Sequence, residues 1–288
     1  MIITDKFVFV HVPKTAGTFV RNAITRLYDG HVIRGRLSEA EQLAPSTGGK
    51  FCFESQVKHI SRRRIPEFFN HLPIVGSFRN PFERYVSQFL FGTWQALPEQ
   101  FPGLENCSGY PNVTFSDYVL TANEKHWHIS KDLIPLGKKL GWQTLGFLQA
   151  FGRHESLIDL LDFDFITVDK LNECISPITI LQTNSINQDL FDALIKVGYP
   201  ADEVRFILDL SRVVPDKLDT VTTNTHDHFR TTRSNNMRSP EVANKKNGLS
   251  RITPTALIDW RTFYDENLRD YVIRRERLLV DLYPKMKF

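Results

Sequence analysis

The chain has 288 residues, of which 41% are hydrophobic and 24% are charged, and its formal net charge at pH 7 is +3. This length and balance are typical of a soluble enzyme with one large core, or with one core and an appended lobe. So small a net charge does not indicate a nucleic-acid-binding protein. The three cysteines are widely spaced and fit neither a metal site nor a disulfide framework, which favours a reducing compartment.

The first predicted elements are a strand near residues 6–12 and a helix near 18–29, joined by a tight turn. A strand–turn–helix unit presents backbone N–H groups and the positive end of a helix to an anion. Lys14 adds a mobile positive charge, and Thr15 and Thr18 add hydroxyl groups. The sequence therefore predicts a phosphate-binding loop. It is not the usual nucleoside-triphosphate loop, GxxxxGK[ST], because the lysine precedes the glycine of the turn by three residues.

A strand near residues 73–78 and a helix near 81–92 carry a second set of polar residues. Arg79 stands at the carboxyl end of the strand, and Ser87 lies about two turns into the helix, so together they could hold one phosphate. Arg84, on the same helix, either joins them or lies on a solvated face and pairs with a carboxylate. Two phosphate sites in one chain indicate a ligand with two separated anionic groups.

The order PKTAGT at residues 13–18 resembles the 5′-phosphosulfate loop of the sulfotransferases, which use 3′-phosphoadenosine 5′-phosphosulfate (PAPS). The run Arg-Asn-Pro at residues 79–81, followed by Arg84 and Ser87, resembles their 3′-phosphate motif. The resemblance implies that one end of PAPS is held by Lys14, Thr15, Ala16, Gly17, Thr18 and Phe19, and the other by Arg79 and Ser87. It also implies that 3′-phosphoadenosine 5′-phosphate (PAP) is the product. No metal is expected, because Lys14 and the loop dipoles neutralise the charge.

The strand predicted near residues 51–57 leads into Lys58-His59-Ile60. In carbohydrate sulfotransferases of the heparan sulfate 2-O-sulfotransferase type, a Gly-His-aliphatic segment stands here, and its histidine takes the proton of the acceptor hydroxyl. The histidine matches that pattern and the glycine does not. The resemblance implies that His59 is the catalytic base, a role that suits an imidazole with an ordinary pKa of ~6.5. Glu54, in the same strand, is the alternative base.

Together with a helix near residues 65–71, these elements alternate between strand and helix. The alternation predicts an α/β fold, a P-loop-like parallel sheet with helices on both faces. Binding loops of such a sheet lie at the carboxyl ends of its strands. We therefore expect Lys14, His59 and Arg79 at one edge of the sheet.

The rest of the chain is predicted by pattern alone, within a single domain over residues 1–288. Residues 93–160 are predicted to be a mainly helical insertion around the acceptor cleft, and a later strand is predicted near 164–168. Residues 220–250 are polar and predict a mobile loop before a long C-terminal helix, residues 254–282.

Basic residues near the two motifs are further candidates for contacts with anions. By the same resemblance, the loop before the last helix folds over the nucleotide, which implies contacts from Lys245, Lys246 or Asn247; the alternative is that these residues form an exposed basic loop. The run Arg62–Arg64 follows His59 directly, and either faces an anionic glycan or opens a surface helix.

We expect transfer of the sulfuryl group of PAPS to a hydroxyl of a glycan or glycolipid. A lipid, small-alcohol or tyrosine acceptor stays open, as does the oligomeric state. Two other interpretations stay open: a P-loop kinase or nucleotide hydrolase, and a non-catalytic nucleotide-binding protein on the same scaffold. The sequence has no signal peptide or membrane segment, so we expect a cytoplasmic location, unless the chain is trimmed of an anchor.

Overall fold

The computed structural model describes residues 1–44, 50–57, 59–153, 160, 166–175, 177–211 and 259–282. Residues 1–210 and 260–288 form one compact unit, and residues 211–259 form a second unit, of which only the two end residues are described. The loop predicted at 220–250, with Lys245, Lys246 and Asn247, lies outside the described residues. The single domain over 1–288 stays a prediction.

Six strands form one sheet in the described part of the chain. They are β1 (Ile2–Thr4), β2 (Val8–Val10), β3 (Ile33–Gly35), β4 (Cys52–Ser55), β5 (Ile74–Phe78) and β6 (Thr179–Gln182). Their order across the sheet is β3-β4-β1-β2-β5-β6. The pairs β3–β4, β2–β5 and β5–β6 are parallel, whereas β1 is antiparallel to both β4 and β2. The predicted α/β class is confirmed, but the prediction of a wholly parallel sheet is wrong.

Strand β1 runs against its neighbours because a short turn joins it to β2. The N–H and the hydroxyl of Thr4 both donate to the carbonyl oxygen of Phe7, at 2.9 and 2.8 Å. So short a connection reverses the chain, since a parallel connection needs a dozen or more residues. Strands β2, β4 and β5 still point the same way, and the residues that follow them therefore lie at one edge of the sheet.

Helices cover both faces of the sheet. The described helices are α1 (Gly17–Leu27), α2 (Ala40–Leu43), α3 (Pro81–Phe91), α4 (Thr93–Ala96), α5 (Phe115–Lys125), α6 (Trp142–Phe151), α7 (Val168–Ile175), α8 (Ile186–Lys196), α9 (Ala201–Val204), α10 (Glu266–Arg275) and α11 (Arg277–Leu282). Val8 and Val10 of β2 belong to the core with α6, α7 and α11, while Phe9 belongs to the core with α1 and α8. Successive residues of β2 therefore point to opposite faces of the sheet, as expected for a strand that is buried on both sides.

The elements predicted around the two phosphate motifs are confirmed. The helix near 18–29 is α1, the strand near 73–78 is β5, and the helix near 81–92 is α3. Asn80 caps α3, since its side-chain oxygen accepts the N–H of Phe82 at 2.9 Å. The strands predicted near 6–12 and 51–57 are present as the shorter β2 and β4.

Two predicted elements differ from the structure. The helix predicted near 65–71 is replaced by two 3₁₀ turns, Arg62–Arg64 and Glu67–Phe69, because Pro66 disfavours helical geometry at the residue before it. The strand predicted near 164–168 is wrong in its described part, since Val168 is the first residue of α7.

The C-terminal helix predicted over 254–282 is also interrupted, within residues 259–282. It consists of a 3₁₀ turn at Trp260–Phe263, then α10, then α11. Asp265 caps α10 by accepting the N–H of Leu268 at 2.7 Å. Glu276 separates α10 from α11 and is fully buried.

Residues 93–153 contain α4, α5, α6 and several 3₁₀ turns and, as far as they are described, no strand. Helix α6 is part of the main core, because the ring of Phe147 lies 5.2 Å from that of Phe78 on β5. A Cβ atom at Gly76 would lie 2.3 Å from the ring of Phe151. Helix α6 therefore covers β5, and the placement of this region around an acceptor cleft stays a prediction. No helix among the described residues is long and apolar enough to span a bilayer.

Candidate active site

The turn between β2 and α1 has the geometry of an anion site. Lys14 and Ala16 both adopt left-handed backbone conformations, with φ of 64° and 61°. Residues with left-handed backbone that alternate with residues of negative φ direct successive backbone N–H groups toward one point. Helix α1 begins at Gly17, its N-cap residue Ala16 offers no side-chain hydrogen bond, and its first turn holds no acidic residue. The N–H groups of that first turn are therefore left for a ligand or for water.

Gly17 is required by a close contact. A Cβ atom at this position would lie 1.8 Å from Nε2 of His11, so any side chain would displace the imidazole. Its backbone is ordinary helix, and the glycine is therefore explained by His11 packing on the start of α1.

Thr15 attaches the turn to the sheet. Its buried hydroxyl donates to the carbonyl oxygen of Val12 at 2.8 Å and lies 2.8 Å from Oγ of Ser77 on β5. Any contact of Thr15 with an anion would therefore come from its backbone N–H. Thr18 is exposed, and Phe19 is buried in the core beneath α1.

Lys14 lies in an apolar and electropositive setting. Its ammonium group lies 3.8 Å from the ring centroid of Phe91, at the end of α3, and the ring of Phe91 is 56% exposed. Desolvation by burial, and then the positive charge of Arg79, lower the pKa of Lys14 from 10.5 to about 8. Lys14 and Arg79 therefore lie close enough to interact, at the same edge of the sheet.

The second set of polar residues lies along the side of α3 that faces the turn. Nε of Arg79 is 3.2 Å from a carboxylate oxygen of Glu83. That ion pair uses one of the five N–H donors of the guanidinium. Ser87 is 2% exposed and shares a helix face with Arg84 and Phe91, both of which contact the turn.

Arg84 is buried and does not lie on the solvated face that was one of its two alternatives, whereas its contact with a phosphate stays a prediction. Its Nε donates to the carbonyl oxygen of Pro13 at 3.0 Å, and a terminal nitrogen donates to Oε1 of Gln143. The side chain is buried, and this burial lowers its pKa to about 10. Arg84 is therefore a link between α3 and the turn, not a solvated side chain and not half of a carboxylate pair.

His59 lies beside the turn, and its side chain is exposed. Its Nδ1 is 3.3 Å from the carbonyl oxygen of His11, and the two imidazole rings are 4.7 Å apart. A carbonyl oxygen can only accept, so this contact favours the tautomer with the proton on Nδ1. Nε2 of the neutral ring then carries the lone pair. Lys14, His59 and Arg79 thus follow β2, β4 and β5, which end at the same edge of the sheet, and their roles in the reaction stay predictions.

Glu54 is a poor candidate for the base. One carboxylate oxygen is 2.5 Å from Nε of Arg21 on α1, and the other is 2.9 Å from Nε of Arg34 on β3. Burial alone would raise the pKa of Glu54, but the two arginines outweigh it, and the pKa lies below its ordinary value. A carboxylate held in this way binds a proton weakly at neutral pH.

Comparison with known proteins identifies the family of the chain. Residues 1–162, more than half of the chain, match the model of the sulfotransferase family. The chain belongs to the sulfotransferase family. Among solved structures it is similar to mouse sulfotransferase SULT7A1 complexed with PAP, with 14% identity and a TM-score of 0.36. That match covers 96% of this chain and 84% of the other. No curated protein matches.

Two arginines of the run Arg62–Arg64 have structural partners in this sulfotransferase. Arg62 donates to the carbonyl oxygen of Ile175 at 2.6 Å, at the end of α7. Arg63 donates to Asp132 at 2.8 Å. These contacts favour a structural role for both residues over the recognition of an anionic glycan. Arg64 is exposed.

The sequence did not indicate three residues of the site. Ser77 is an ordinary core residue by pattern, Phe91 is one more apolar position of α3, and Gln143 lies 56 positions after Ser87 in the chain. Only the fold brings them to the turn. The described residues of this sulfotransferase contain no group of three or more His, Cys, Asp or Glu side chains that could hold a metal ion. Catalysis without a metal stays a prediction.

Proposed function

We propose that this sulfotransferase uses PAPS as donor and sulfates a hydroxyl group of a carbohydrate. One observation carries the proposal: two cationic sites follow the adjacent parallel strands β2 and β5, and Arg79 lies near enough to Lys14 to lower its pKa. A nucleotide with an anionic group at each end fits such a pair. A nucleotide with a single polyphosphate group would leave the Arg79 site without a purpose.

The donor set of the turn suits a 5′-phosphosulfate. The backbone N–H groups from Thr15 to Phe19 would act as fixed dipoles, which need no reorganisation as charge develops. Lys14 would leave the ring of Phe91 and place its ammonium on the oxygen that bridges sulfur and phosphorus, where negative charge grows as the bond breaks. Arg79, just before α3, and Ser87, within α3, would hold the 3′-phosphate and so favour PAPS over ATP.

His59 is the proposed base. PAPS supplies an activated sulfuryl group, and the acceptor hydroxyl loses its proton as its oxygen attacks the sulfur. Nε2 of His59 would take that proton, while Nδ1–H stays against the carbonyl oxygen of His11, which keeps the ring oriented. The ion pairs of Glu54 with two arginines support His59 over Glu54 in this role.

The carbohydrate acceptor is supported by the resemblance around His59 to the heparan sulfate 2-O-sulfotransferase type. The exposed ring of Phe91 is an apolar surface beside Lys14 on which a sugar face could lie. We also propose a cytoplasmic location, which the three free cysteines support.

Nucleotide binding tests the donor. We expect the full chain to bind PAP at least tenfold more tightly than ADP, without magnesium. Lys14→Met should weaken PAP binding, while the matched variant Lys196→Met, of an exposed lysine on α8, should not. Tighter binding of ATP or ADP, and only with magnesium, would favour a kinase or nucleotide hydrolase.

Transfer of labelled sulfate from PAPS tests the reaction. The acceptor panel would hold glycosaminoglycans, a glycolipid, a simple alcohol and a tyrosine peptide. Label on a glycan supports the proposal, and label only on another acceptor corrects the substrate class. PAP binding without transfer to any acceptor would favour a non-catalytic binding protein.

A further inference from the structure

A chain of buried and part-buried polar contacts runs from the phosphate-binding turn to the C-terminal part of the unit. It starts at the carbonyl oxygen of Pro13, which accepts Nε of Arg84 at 3.0 Å. The guanidinium also donates to Oε1 of Gln143, on α6. The amide nitrogen of the same glutamine donates to Oε1 of Gln88, on α3, at 2.7 Å. The Gln143 side chain is therefore oriented at both ends.

The main chain of Gln143 is fixed by Glu276, which has no exposed surface. One carboxylate oxygen accepts the N–H of Gln143 at 3.0 Å and the hydroxyl of Tyr85 at 2.6 Å. The other accepts the N–H and the hydroxyl of Thr144, at 2.8 and 2.7 Å. The carboxylate thus caps the N-terminal end of α6, where negative charge is favourable. Gly141 permits this approach, since a Cβ atom there would lie 2.3 Å from the carboxylate.

We propose that Arg84, Gln143 and Glu276 form a positioning network, which holds the phosphate-binding turn in its anion-ready conformation through the carbonyl of Pro13. None of the three needs to touch the nucleotide. That the network serves nucleotide binding rests on the proposed function, whereas its effect on the conformation of the turn does not. The carbonyl of Pro13 directly precedes the left-handed residue Lys14, so the guanidinium fixes the peptide at which the turn begins.

The network explains why Arg84 is an arginine. A planar guanidinium can donate along two directions at once, to a main-chain carbonyl and to an amide oxygen, from one buried position. A lysine ammonium carries no such fork. It also explains why a segment beyond the family match, residues 266–282, contributes to the site: Glu276 in this segment orients the acceptor of Arg84.

Hydrogen exchange of the nucleotide-free full chain tests the network. Gln143→Leu removes the amide that Arg84 contacts. Gln149→Leu is a matched control, because Gln149 is a glutamine of the same helix whose side chain also makes two hydrogen bonds, with Ser130 N–H and the His128 carbonyl oxygen. We expect amides of residues 20–23, whose hydrogen bonds close the first turn of α1 beginning with Val20 N–H to the Ala16 carbonyl oxygen, to exchange at least tenfold faster in Gln143→Leu, and within twofold of wild type in Gln149→Leu.

Two further variants complete the test. Gln143→Glu keeps an oxygen acceptor for Arg84 and should keep the slow exchange of residues 20–23. Should Gln143→Leu fail to fold, Gln88→Ala removes only the second anchor of the Gln143 side chain, and should speed exchange about threefold. Unchanged exchange in folded Gln143→Leu or Gln88→Ala, or an equal increase in Gln149→Leu, would overturn the network. Failure of the wild type to bind PAP would instead refute the proposed function.

Discussion

The charge of Lys14 makes nucleotide binding depend on pH in a way that the structure specifies. Its pKa is about 8 instead of 10.5, because burial and the neighbouring Arg79 disfavour the ammonium form. Below pH 8 the side chain is charged in both the unliganded and the liganded protein, so its contribution to affinity is constant. Above pH 8 the unliganded protein loses this proton, and an anion must bring it back on binding. Affinity should therefore fall as pH rises through 8.

The size of the effect follows from the charged fraction of Lys14. With a pKa of about 8, roughly 90% of the side chains are charged at pH 7 and roughly 10% at pH 9. If only the charged form binds, the dissociation constant for PAP should rise about tenfold over this interval, or roughly 1.4 kcal/mol. The nucleotide adds little, since the second pKa of a phosphate ester is ≈ 6.

Calorimetric titration of PAP at steps between pH 7 and pH 9 measures this slope directly. Lys14→Arg is the matched control, because a guanidinium stays charged throughout, and its affinity should be flat. Lys14→Met should bind weakly at every pH, also without a slope. A wild-type affinity that changes less than twofold refutes the role of Lys14. A slope shared by wild type and Lys14→Arg assigns the titration to another group.

Four further outcomes follow from the site. His59→Asn should lower turnover by about a hundredfold or more while leaving the PAP dissociation constant within about twofold; steady-state rates near wild type would move the base elsewhere. Gly17→Ala should lower the free energy of unfolding by about 1–3 kcal/mol, because its Cβ would lie 1.8 Å from Nε2 of His11, and this clash outweighs the better helix propensity of alanine. Urea unfolding measures the change, and an unchanged midpoint contradicts the contact. The pKa of Glu54 is lowered, so the free energy of unfolding of the wild type should decrease as pH falls through that pKa, and Glu54→Gln should lack this decrease. Glu54→Gln should also keep its sulfate-transfer activity, and loss of that activity with an intact fold would restore Glu54 as the base. Arg79→Lys should weaken the binding of PAP more than the binding of adenosine 5′-phosphosulfate, which lacks the 3′-phosphate. Equal weakening of both would show that Arg79 does not hold the 3′-phosphate.

The elements that the sequence predicted best depend on neighbouring residues. Helix α3 follows from a capping side chain at Asn80, a proline at the first helical position and an apolar stripe, all within twelve residues. Strand β5 and helix α1 are set by similarly local patterns. Their boundaries agree with the structure to within two residues, because the signals that start and end them are part of the same segment.

The elements that were missed depend on distant partners. Strands β1 and β3 have three residues each, too few for a period to be visible, and they exist through pairing with β4. Strand β6 and helix α8 come after a long region without clear rhythm. Helix α6 is apolar on nearly every side, which is typical of a helix buried among other elements. That composition was the available signal that the region around it belongs to the core.

For the candidate site, the sequence predicted the charged residues and their order along the chain, but not the residues that hold them in place. Lys14, His59 and Arg79 lie at one edge because the three strands that precede them point the same way, which a strand–helix alternation predicts. The partner of Arg84 lies 71 positions away at Pro13, and Glu276 lies still further along the chain. A residue of the segment that resembles the 3′-phosphate motif thus contacts the turn that resembles the 5′-phosphosulfate loop. If that link carries the function proposed for it, removal of Arg84 should be felt at the 5′ end of the nucleotide, and the two motifs work as one unit.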